Sequence, residues 1–182
     1  MKDIDCMNDA IMSMKMKDVD IVVWTETHFD NKDSAEFSKI ATQKGYKCFS
    51  IHRLMKRYDH GSGGVTIMVR ESLKCREVRR SKLEDLIWIC IESEGERFFV
   101  GGVYLVPPSA SRRRKATELV EEIGKDLARF RLQGGIVLAG DWNCKIGQVA
   151  SETQGRMFER NSVSLNVDAR GKRIIELMNI SE

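Results

Sequence analysis

The residues best suited to chemistry are an aspartate and an asparagine that follow a short apolar run. The segment 136–140, IVLAG, leads directly into Asp141, Trp142 and Asn143. An apolar run of this length, preceded by two glycines, predicts a buried strand. Side chains two residues apart on a strand project to the same side, so Asp141 and Asn143 would project together from its end. A carboxylate can hold a hard divalent cation and a carboxamide can orient phosphate or water, while an ordinary Asp/Asn/Gly turn is the alternative.

Two clusters of basic residues suggest a second kind of chemistry, which is contact with phosphate. The first cluster contains Arg76, Arg79, Arg80 and Lys82, and the second contains Arg112, Arg113, Arg114 and Lys115. The net charge of +3 over 182 residues is too small to establish a polyanionic partner. A solvated face and a nucleic-acid contact therefore both remain open for each cluster.

The elements that must position these residues begin with a helix and a strand. Residues 1–17 have apolar positions at mostly helical spacing, with a methionine-rich face that favours core packing. Asp20 to Trp24 predicts a buried strand that ends in Thr-Glu-Thr. Ser34 is the predicted cap of a second helix, which Gly45 stops.

Further along the chain, strands outnumber helices. YKCFSIHR and VTIMVR predict strands on either side of a polar loop, and segments 86–92 and 97–106 predict a hairpin that Pro107-Pro108 ends. Ser109 or Ser111 is expected to begin a long helix with a continuous apolar stripe. A polar, glycine-rich loop follows the Asp141 strand, and KRIIELM predicts a last helix. This pattern indicates a layered α/β domain with strand-end loops gathered at one site.

Composition excludes several classes of protein. Hydrophobic residues make up 42% and charged residues 31%, which is typical of a folded domain, and no apolar stretch is long enough for a transmembrane helix. The N-terminus has no signal-peptide pattern. Five dispersed cysteines without a CxxC pair, and three histidines without ligand spacing, fit neither a zinc site nor a disulfide framework. We therefore expect an intracellular protein, nuclear or cytoplasmic, that is not secreted and has no membrane partner.

Four motifs, in order along the chain, resemble those of a known family. They are DIVVWTETHFD, GSGGVTIMVR, FFVGGVYLVPPS and IVLAGDWNCKIG, and a weaker fifth is ERNSVSLNVDARGKRIIELM. Together they resemble the endonuclease/exonuclease/phosphatase superfamily, and most closely the apurinic-type endonuclease domain of LINE-type (non-LTR) retrotransposons and their domesticated relatives. The resemblance implies an α/β (α+β) fold over residues 1–182 as a single domain. That fold is an incomplete four-layer α/β sandwich, with two packed mixed β-sheets flanked by helices.

The resemblance also implies roles for individual residues. Glu26 matches the metal-binding glutamate, and Tyr104 matches the tyrosine that contacts the scissile phosphate. Asp141 matches the aspartate that orients the attacking water, and Asn143 matches the asparagine that binds phosphate. Trp142, between them, is expected to point away into packing. The implied cofactor is Mg²⁺ or Mn²⁺ and the implied partner is DNA. A surface carboxylate and a half-buried strand aromatic are the ordinary alternatives for Glu26 and Tyr104.

Two parts of the family pattern have no match in this sequence. Its first, asparagine-bearing strand is missing, because Asn8 lies in the predicted first helix instead. Its C-terminal Ser-Asp-His block is missing too, and none of His28, His52 and His60 has the matching context. The resemblance thus implies truncation at both ends, with an incomplete sheet that self-association or a partner would cover.

Two functions follow as hypotheses. The first is a Mg²⁺-dependent phosphodiesterase, a DNA endonuclease-like domain of retrotransposon origin with weak or absent turnover as this isolated chain. The second is a catalytically dead remnant of that fold that binds nucleic acid or protein. An accidental likeness in an unrelated α/β domain is the third interpretation.

Overall fold

A computed structural model describes residues 4–52, 63–108, 113–148, 151–153, 156–158 and 162–180. The helices are α1 (Ile4–Met16), α2 (Asn31–Gln43), α3 (Arg113–Phe130) and α4 (Ala169–Ile180). The strands are β1 (Ile21–Thr25), β2 (Tyr46–Ile51), β3 (Val65–Arg70), β4 (Lys74–Arg80), β5 (Leu86–Ser93), β6 (Glu96–Tyr104), β7 (Gly135–Asp141), β8 (Ser151–Thr153) and β9 (Arg156–Phe158). They form two compact units, the first comprising 1–105 and 133–141 and the second 106–132 and 142–182.

The first unit is built on two sheets. One is antiparallel, in the order β1-β3-β2, and the other has the order β4-β5-β6-β7, with β6 and β7 parallel. Their inner faces are in direct contact at Gly102 of β6, where an added Cβ would lie 2.7 Å from Val65 and 3.1 Å from Val23 and Ile67. The predicted α/β sandwich is thereby confirmed, with the difference that one of its two sheets is antiparallel rather than mixed.

Helices α1 and α2 cover the outer face of the antiparallel sheet. Ile11 and Met14 of α1 and Phe37 of α2 pack in one buried cluster with Tyr46 and Met68 of the sheet. Met68 follows Ile67 on β3, and alternation along the strand places these two side chains on opposite faces. The predicted core packing of the first helix is therefore confirmed for Ile11 and Met14, whereas Met12 is 41% exposed.

The second helix begins four residues earlier than the sequence predicted. Its N-cap is Asp30, whose carboxylate accepts hydrogen bonds from the backbone N–H groups of Lys32 (2.7 Å) and Asp33 (2.8 Å). The Asp33 carboxylate in turn accepts from the N–H of Asp30, which completes a capping box. The prediction of Ser34 as cap was wrong because Asp30 satisfies the unpaired N–H groups one turn upstream. Gly45, with φ of +87°, ends the helix as predicted.

Strand β7 is less buried than its apolar sequence suggested. It pairs with β6 alone among the described strands and is the last strand of its sheet. Val137 near its middle is 52% exposed. The prediction of a buried strand was wrong. An apolar sequence shows that the side chains favour burial, but it does not show whether a second strand lies beside them.

Strand β4 was missed by the sequence analysis. Its charged residues, which include Arg76, Arg79 and Arg80, concealed an edge strand that pairs with β5 and is bulged between Glu77 and Arg79. Charged side chains and bulges are common on edge strands because they discourage further strand pairing. Arg80 forms an ion pair with Glu77 at 2.8 Å, which supports the interpretation of this cluster as a solvated face at that position.

The second unit contains α3, the short β8–β9 hairpin and α4. The predicted apolar stripe of α3 is confirmed, and its members are buried: Ala116, Leu119, Val120, Ile123, Leu127 and Phe130. Gly124 allows α4 to approach, since an added Cβ would lie 2.9 Å from Leu177. The hairpin occupies part of the predicted polar loop. Within the described residues, no helix is long and apolar enough to cross a membrane.

Replacing Asp30 by alanine removes the acceptor that caps α2. We expect Asp30→Ala to lower the free energy of unfolding by about 1 kcal/mol, measured by urea denaturation. Ser34→Ala is the matched control and should change it by less than about 0.5 kcal/mol. A larger loss for Ser34→Ala than for Asp30→Ala would contradict the assignment of the cap.

Candidate functional site

Glu26 and Tyr104 are in contact, although 78 residues separate them in sequence. Glu26 follows the last residue of β1, and Tyr104 is the last residue of β6. The Tyr104 hydroxyl donates a hydrogen bond to Oε1 of Glu26, and the tyrosine side chain is almost fully buried. This bond joins the two sheets of the sandwich at one end, and a hydroxyl donor on a carboxylate is the stronger, charge-assisted kind of hydrogen bond.

Asp141 lies beside Tyr104 in the adjacent strand. The parallel register of β6 and β7 pairs Tyr104 with Asp141, and the N–H of Leu105 donates to the Asp141 carbonyl at 2.8 Å. Paired residues of neighbouring strands lie on the same side of a sheet. Gly140 permits this approach, because its φ is +144° and an added Cβ would lie 1.9 Å from the Val103 carbonyl oxygen. The glycine before the aspartate is therefore required by the backbone.

The backbone after β1 is held in a strained turn. Glu26 and His28 both have positive φ, +52° and +54°. Such angles cost on the order of 1 kcal/mol each for residues other than glycine, and they persist where surrounding contacts hold the chain. Here the N–H of His28 donates to the Gly63 carbonyl at 3.0 Å, and the Thr27 side chain is buried between the two strained residues. The position of the Glu26 carboxylate is thus set by several contacts.

A third carboxylate, Asp85, was missed by the sequence analysis. It is 5% exposed and precedes β5, and its carbonyl accepts from the N–H of Tyr104 at 2.9 Å. Asp85, just before β5, and Asp141, at the end of β7, therefore flank Tyr104 from its two sides. The signal in the sequence was an acid directly before the apolar run LIWICI, but whether two such residues meet depends on register, which the pattern of one strand does not reveal.

Asn143 belongs to the second unit. It lies two residues after Asp141, with φ of +43°, and its carbonyl accepts a hydrogen bond from Nη1 of Arg170 at 3.2 Å. The structure thus brings Glu26, Tyr104 and Asp141 together at the end of the sandwich, and it places Asn143 in a loop that α4 contacts.

The second basic cluster falls outside what can be described. Arg112 is not among the described residues, and for Arg113, Arg114 and Lys115 the structure describes the helical backbone but not the side chains. Their predicted contact with nucleic acid remains a prediction.

The donor set at Glu26 and Asp141 fits a hard divalent cation. Mg²⁺ prefers oxygen ligands, keeps several waters and uses one or two protein carboxylates, which these two residues supply. In the described parts of the chain, no group of three or more His, Cys, Asp or Glu side chains is arranged to hold a metal. The carboxylates present match the oxygen chemistry of Mg²⁺ or Mn²⁺ better than the nitrogen and sulfur chemistry of zinc.

Cysteine chemistry is disfavoured at two of the five thiols. Burial raises the pKa of Cys48 to about 12, against a weaker opposing effect of a hydrogen bond with Ser38. Burial also raises the pKa of Cys75. Because the thiolate is the reactive form, the raised pKa values lower the reactivity of both thiols near neutral pH.

Comparison with known proteins gives one family match. Residues 8–152 match the model of the Endonuclease/Exonuclease/phosphatase family. A search of curated protein sequences found no match.

Three solved structures illustrate the similarity of fold. The endonuclease domain of TRAS1, a telomere-specific non-LTR retrotransposon, is 14% identical with a TM-score of 0.57, over 97% of this chain and 64% of that chain. The AP endonuclease LMAP from Leishmania major is 15% identical with a TM-score of 0.64, over 95% and 61%. An AP endonuclease from Archaeoglobus fulgidus is 18% identical with a TM-score of 0.59, over 94% and 65%. The chain thus spans less than two thirds of each of these chains, and the resemblance inferred from the motifs is confirmed at the level of family and fold.

Removing the Tyr104 hydroxyl tests the bond between the two sheets. We expect Tyr104→Phe to lower the free energy of unfolding by about 1.5 kcal/mol, measured by urea denaturation, because the lost hydroxyl donates to a carboxylate. Tyr46→Phe is the matched control, since the Tyr46 hydroxyl donates to a neutral acceptor, the Val19 carbonyl, at 2.9 Å. Tyr46→Phe should lower the free energy of unfolding by less, about 1 kcal/mol. Unchanged stability in Tyr104→Phe would show that the bond contributes nothing.

Proposed function

This protein belongs to the endonuclease/exonuclease/phosphatase family, and from that premise we propose that it is a Mg²⁺-dependent phosphodiesterase-type domain. Its substrate is DNA, its mode of cleavage is endonucleolytic, and its origin is a retrotransposon. As this isolated chain it turns over weakly. Mn²⁺ is the alternative ion.

The observation that carries the proposal is the meeting of Glu26, Tyr104 and Asp141 at one end of the sandwich. The tyrosine is bonded to the glutamate and paired in register with the aspartate. All three are among the residues to which the motif resemblance assigns roles. If Glu26 were an ordinary surface carboxylate and Tyr104 an ordinary packing aromatic, we would not expect both to lie at the same end of the sandwich as Asp141.

Each residue has a chemical task in this proposal. A divalent ion held at Glu26 would supply positive charge to the nonbridging phosphate oxygens. Asp141 accepts a proton from water and aligns that water for in-line attack on phosphorus. The Asn143 carboxamide donates to a phosphate oxygen. Tyr104 has a single hydroxyl proton, which it donates to Glu26. The Tyr104 hydroxyl can therefore donate to a phosphate oxygen only when the hydrogen bond to Glu26 is released.

Weak turnover follows from the missing proton donor. The family resemblance calls for a histidine in a Ser-Asp-His block, and no such block occurs in the sequence. His52 is engaged elsewhere, with Nε2 at 2.7 Å from Oδ1 of Asn31 on α2. Loss of one general acid or oxyanion-stabilising group commonly lowers the rate about 10²-fold or more.

A second candidate function is binding without turnover. The exposure of Val137 on β7, the last strand of its sheet, favours a partner or a second copy of the chain that covers this strand. In this alternative the domain is a remnant of the fold that binds nucleic acid or protein.

Nicking of supercoiled plasmid tests the enzymatic proposal. With Mg²⁺ or Mn²⁺ we expect slow nicking, and Asp141→Asn and Glu26→Gln should each lower its rate about 10²-fold or more. Glu94→Gln, in the exposed turn between β5 and β6, is the matched control and should behave as the wild type. Nicking that is equal in wild type and Asp141→Asn would overturn the proposal, as would none in either.

The salt dependence of DNA binding separates the candidate partners. If exposed arginines of β4 contact phosphates, the logarithm of affinity falls steeply with the logarithm of salt concentration. Arg76→Gln should then reduce that slope by about 1, in fluorescence anisotropy with a labelled duplex. Lys39→Gln, exposed on α2, serves as control with an unchanged slope. A flat salt response would favour a protein partner instead.

A further inference from the structure

The guanidinium group of Arg170 lies within hydrogen-bond distance of three backbone carbonyl oxygens, two of them in the loop that carries Asn143. Nη1 of Arg170 donates to the carbonyl oxygens of Val106 at 2.7 Å, Asn143 at 3.2 Å and Trp142 at 3.4 Å. All of these residues lie in the second unit. Arg170 belongs to the first turn of α4, so this helix contacts the backbone of Asn143 directly.

Asp168 holds the same loop from its other side. One carboxylate oxygen caps α4 by accepting from the N–H of Gly171 at 2.7 Å, and the other accepts from the N–H of Lys145 at 2.9 Å. The N–H of Asp168 donates in return to the Lys145 carbonyl at 3.0 Å. An ordinary helix cap would need the first of these bonds only. The other two tie residue 145 to the start of the helix.

Gly171 permits the close approach that these bonds need. An added Cβ at this position would lie 2.0 Å from the Lys145 carbonyl oxygen, which is far inside contact distance. The first turn of α4 therefore presents an acid, an arginine and a glycine, each of which meets the loop 142–145. In the sequence these are three of the four residues in the segment DARG.

The stability of α4 does not explain why residue 170 is an arginine. It is the second residue of α4, where the partial positive charge of the helix terminus repels a cation. Burial would raise the pKa of the Asp168 carboxyl, but the backbone N–H groups of Gly171, Lys145 and Arg170 and the Arg170 charge outweigh burial and leave that pKa below its ordinary value. The Asp168 carboxylate thus offsets the electrostatic cost of a cation at the N-terminus of α4. The loop carbonyls to which Arg170 donates account for an arginine at this position.

We propose that Asp168 and Arg170 are positioning residues that fix the backbone of Asn143, and with it the carboxamide that contacts phosphate. The inference rests on the proposed function for its catalytic consequence, but the clamp itself is a property of the folded chain. Neither residue is assigned a contact with substrate. Both act through the loop 142–145, whose conformation includes the positive φ of Asn143.

Backbone hydrogen exchange, followed by NMR on the full chain, tests the clamp without substrate. Arg170→Met keeps the aliphatic length of the side chain but removes every donor, so the amides of Cys144 and Lys145 should exchange about tenfold faster. Arg170→Lys retains three N–H donors and should restore much of the protection. Lys172→Met, exposed on the same helix, is the matched control. Equal exchange at Cys144 and Lys145 in wild type and Arg170→Met would overturn the clamp, as would equal loss in the Met and Lys variants.

A double-mutant cycle in the plasmid assay tests the consequence for Asn143. Arg170→Met should lower kcat/KM about tenfold or more in the wild-type background and cause no further loss in the Asn143→Ala background. An equal loss in both backgrounds would mean that Arg170 acts through general stability and would contradict its positioning role. Absence of nicking in the wild type would contradict the proposed function and leave the positioning contacts untouched. The exchange experiment alone would then test whether Asp168 and Arg170 hold the loop.

Discussion

The close contact of two sheets at Gly102 is the constraint on which the first unit depends. A side chain there would meet Val65, Ile67 and Val23 at once, so the glycine sets how near β6 can come to the antiparallel sheet. That separation decides whether a residue at the end of β6 can reach one at the end of β1. The bond between Tyr104 and Glu26 is therefore a consequence of core packing, although its atoms are polar.

The two units solve the problem of placement in different ways. In the first, strand register places the residues, since Asp85 directly precedes β5 and Tyr104 and Asp141 end the neighbouring strands β6 and β7. In the second, a helix terminus holds an irregular loop through bonds to its backbone, with Asp168 and Arg170 as the contacts. Register is rigid because a slip by one residue would turn every side chain to the other face. A clamped loop depends instead on a few hydrogen bonds, each of which one substitution can remove.

Most of the helices and strands could be predicted from the sequence, and the predictions that were wrong or missing have physical causes. Helix α3 and strands β3 and β5 were predicted because apolar periodicity is a direct signal of burial. Strand β4 was missed because edge strands carry charges that suppress that signal, and Asp30 was missed because Ser34 offers an equally good capping side chain at another position. Glu26, Tyr104 and Asp141 were selected by motif, yet their convergence needed the pairing of β6 with β7. Asp85 has no motif, and its place beside Tyr104 depends on a different register, the antiparallel pairing of β5 with β6.

Glycines at points of close contact also decide which sequence variants can keep this backbone. Gly102, Gly140 and Gly171 each leave a space that a single methyl group would fill against neighbouring atoms. Alanine at Gly140 would push β7 away from Val103, although every carboxylate, amide and hydroxyl discussed above would still be encoded. A comparison restricted to the polar motif residues would therefore count such a variant as intact. Three positions that carry no side chain are thus as necessary to this backbone as the polar residues are to the candidate site.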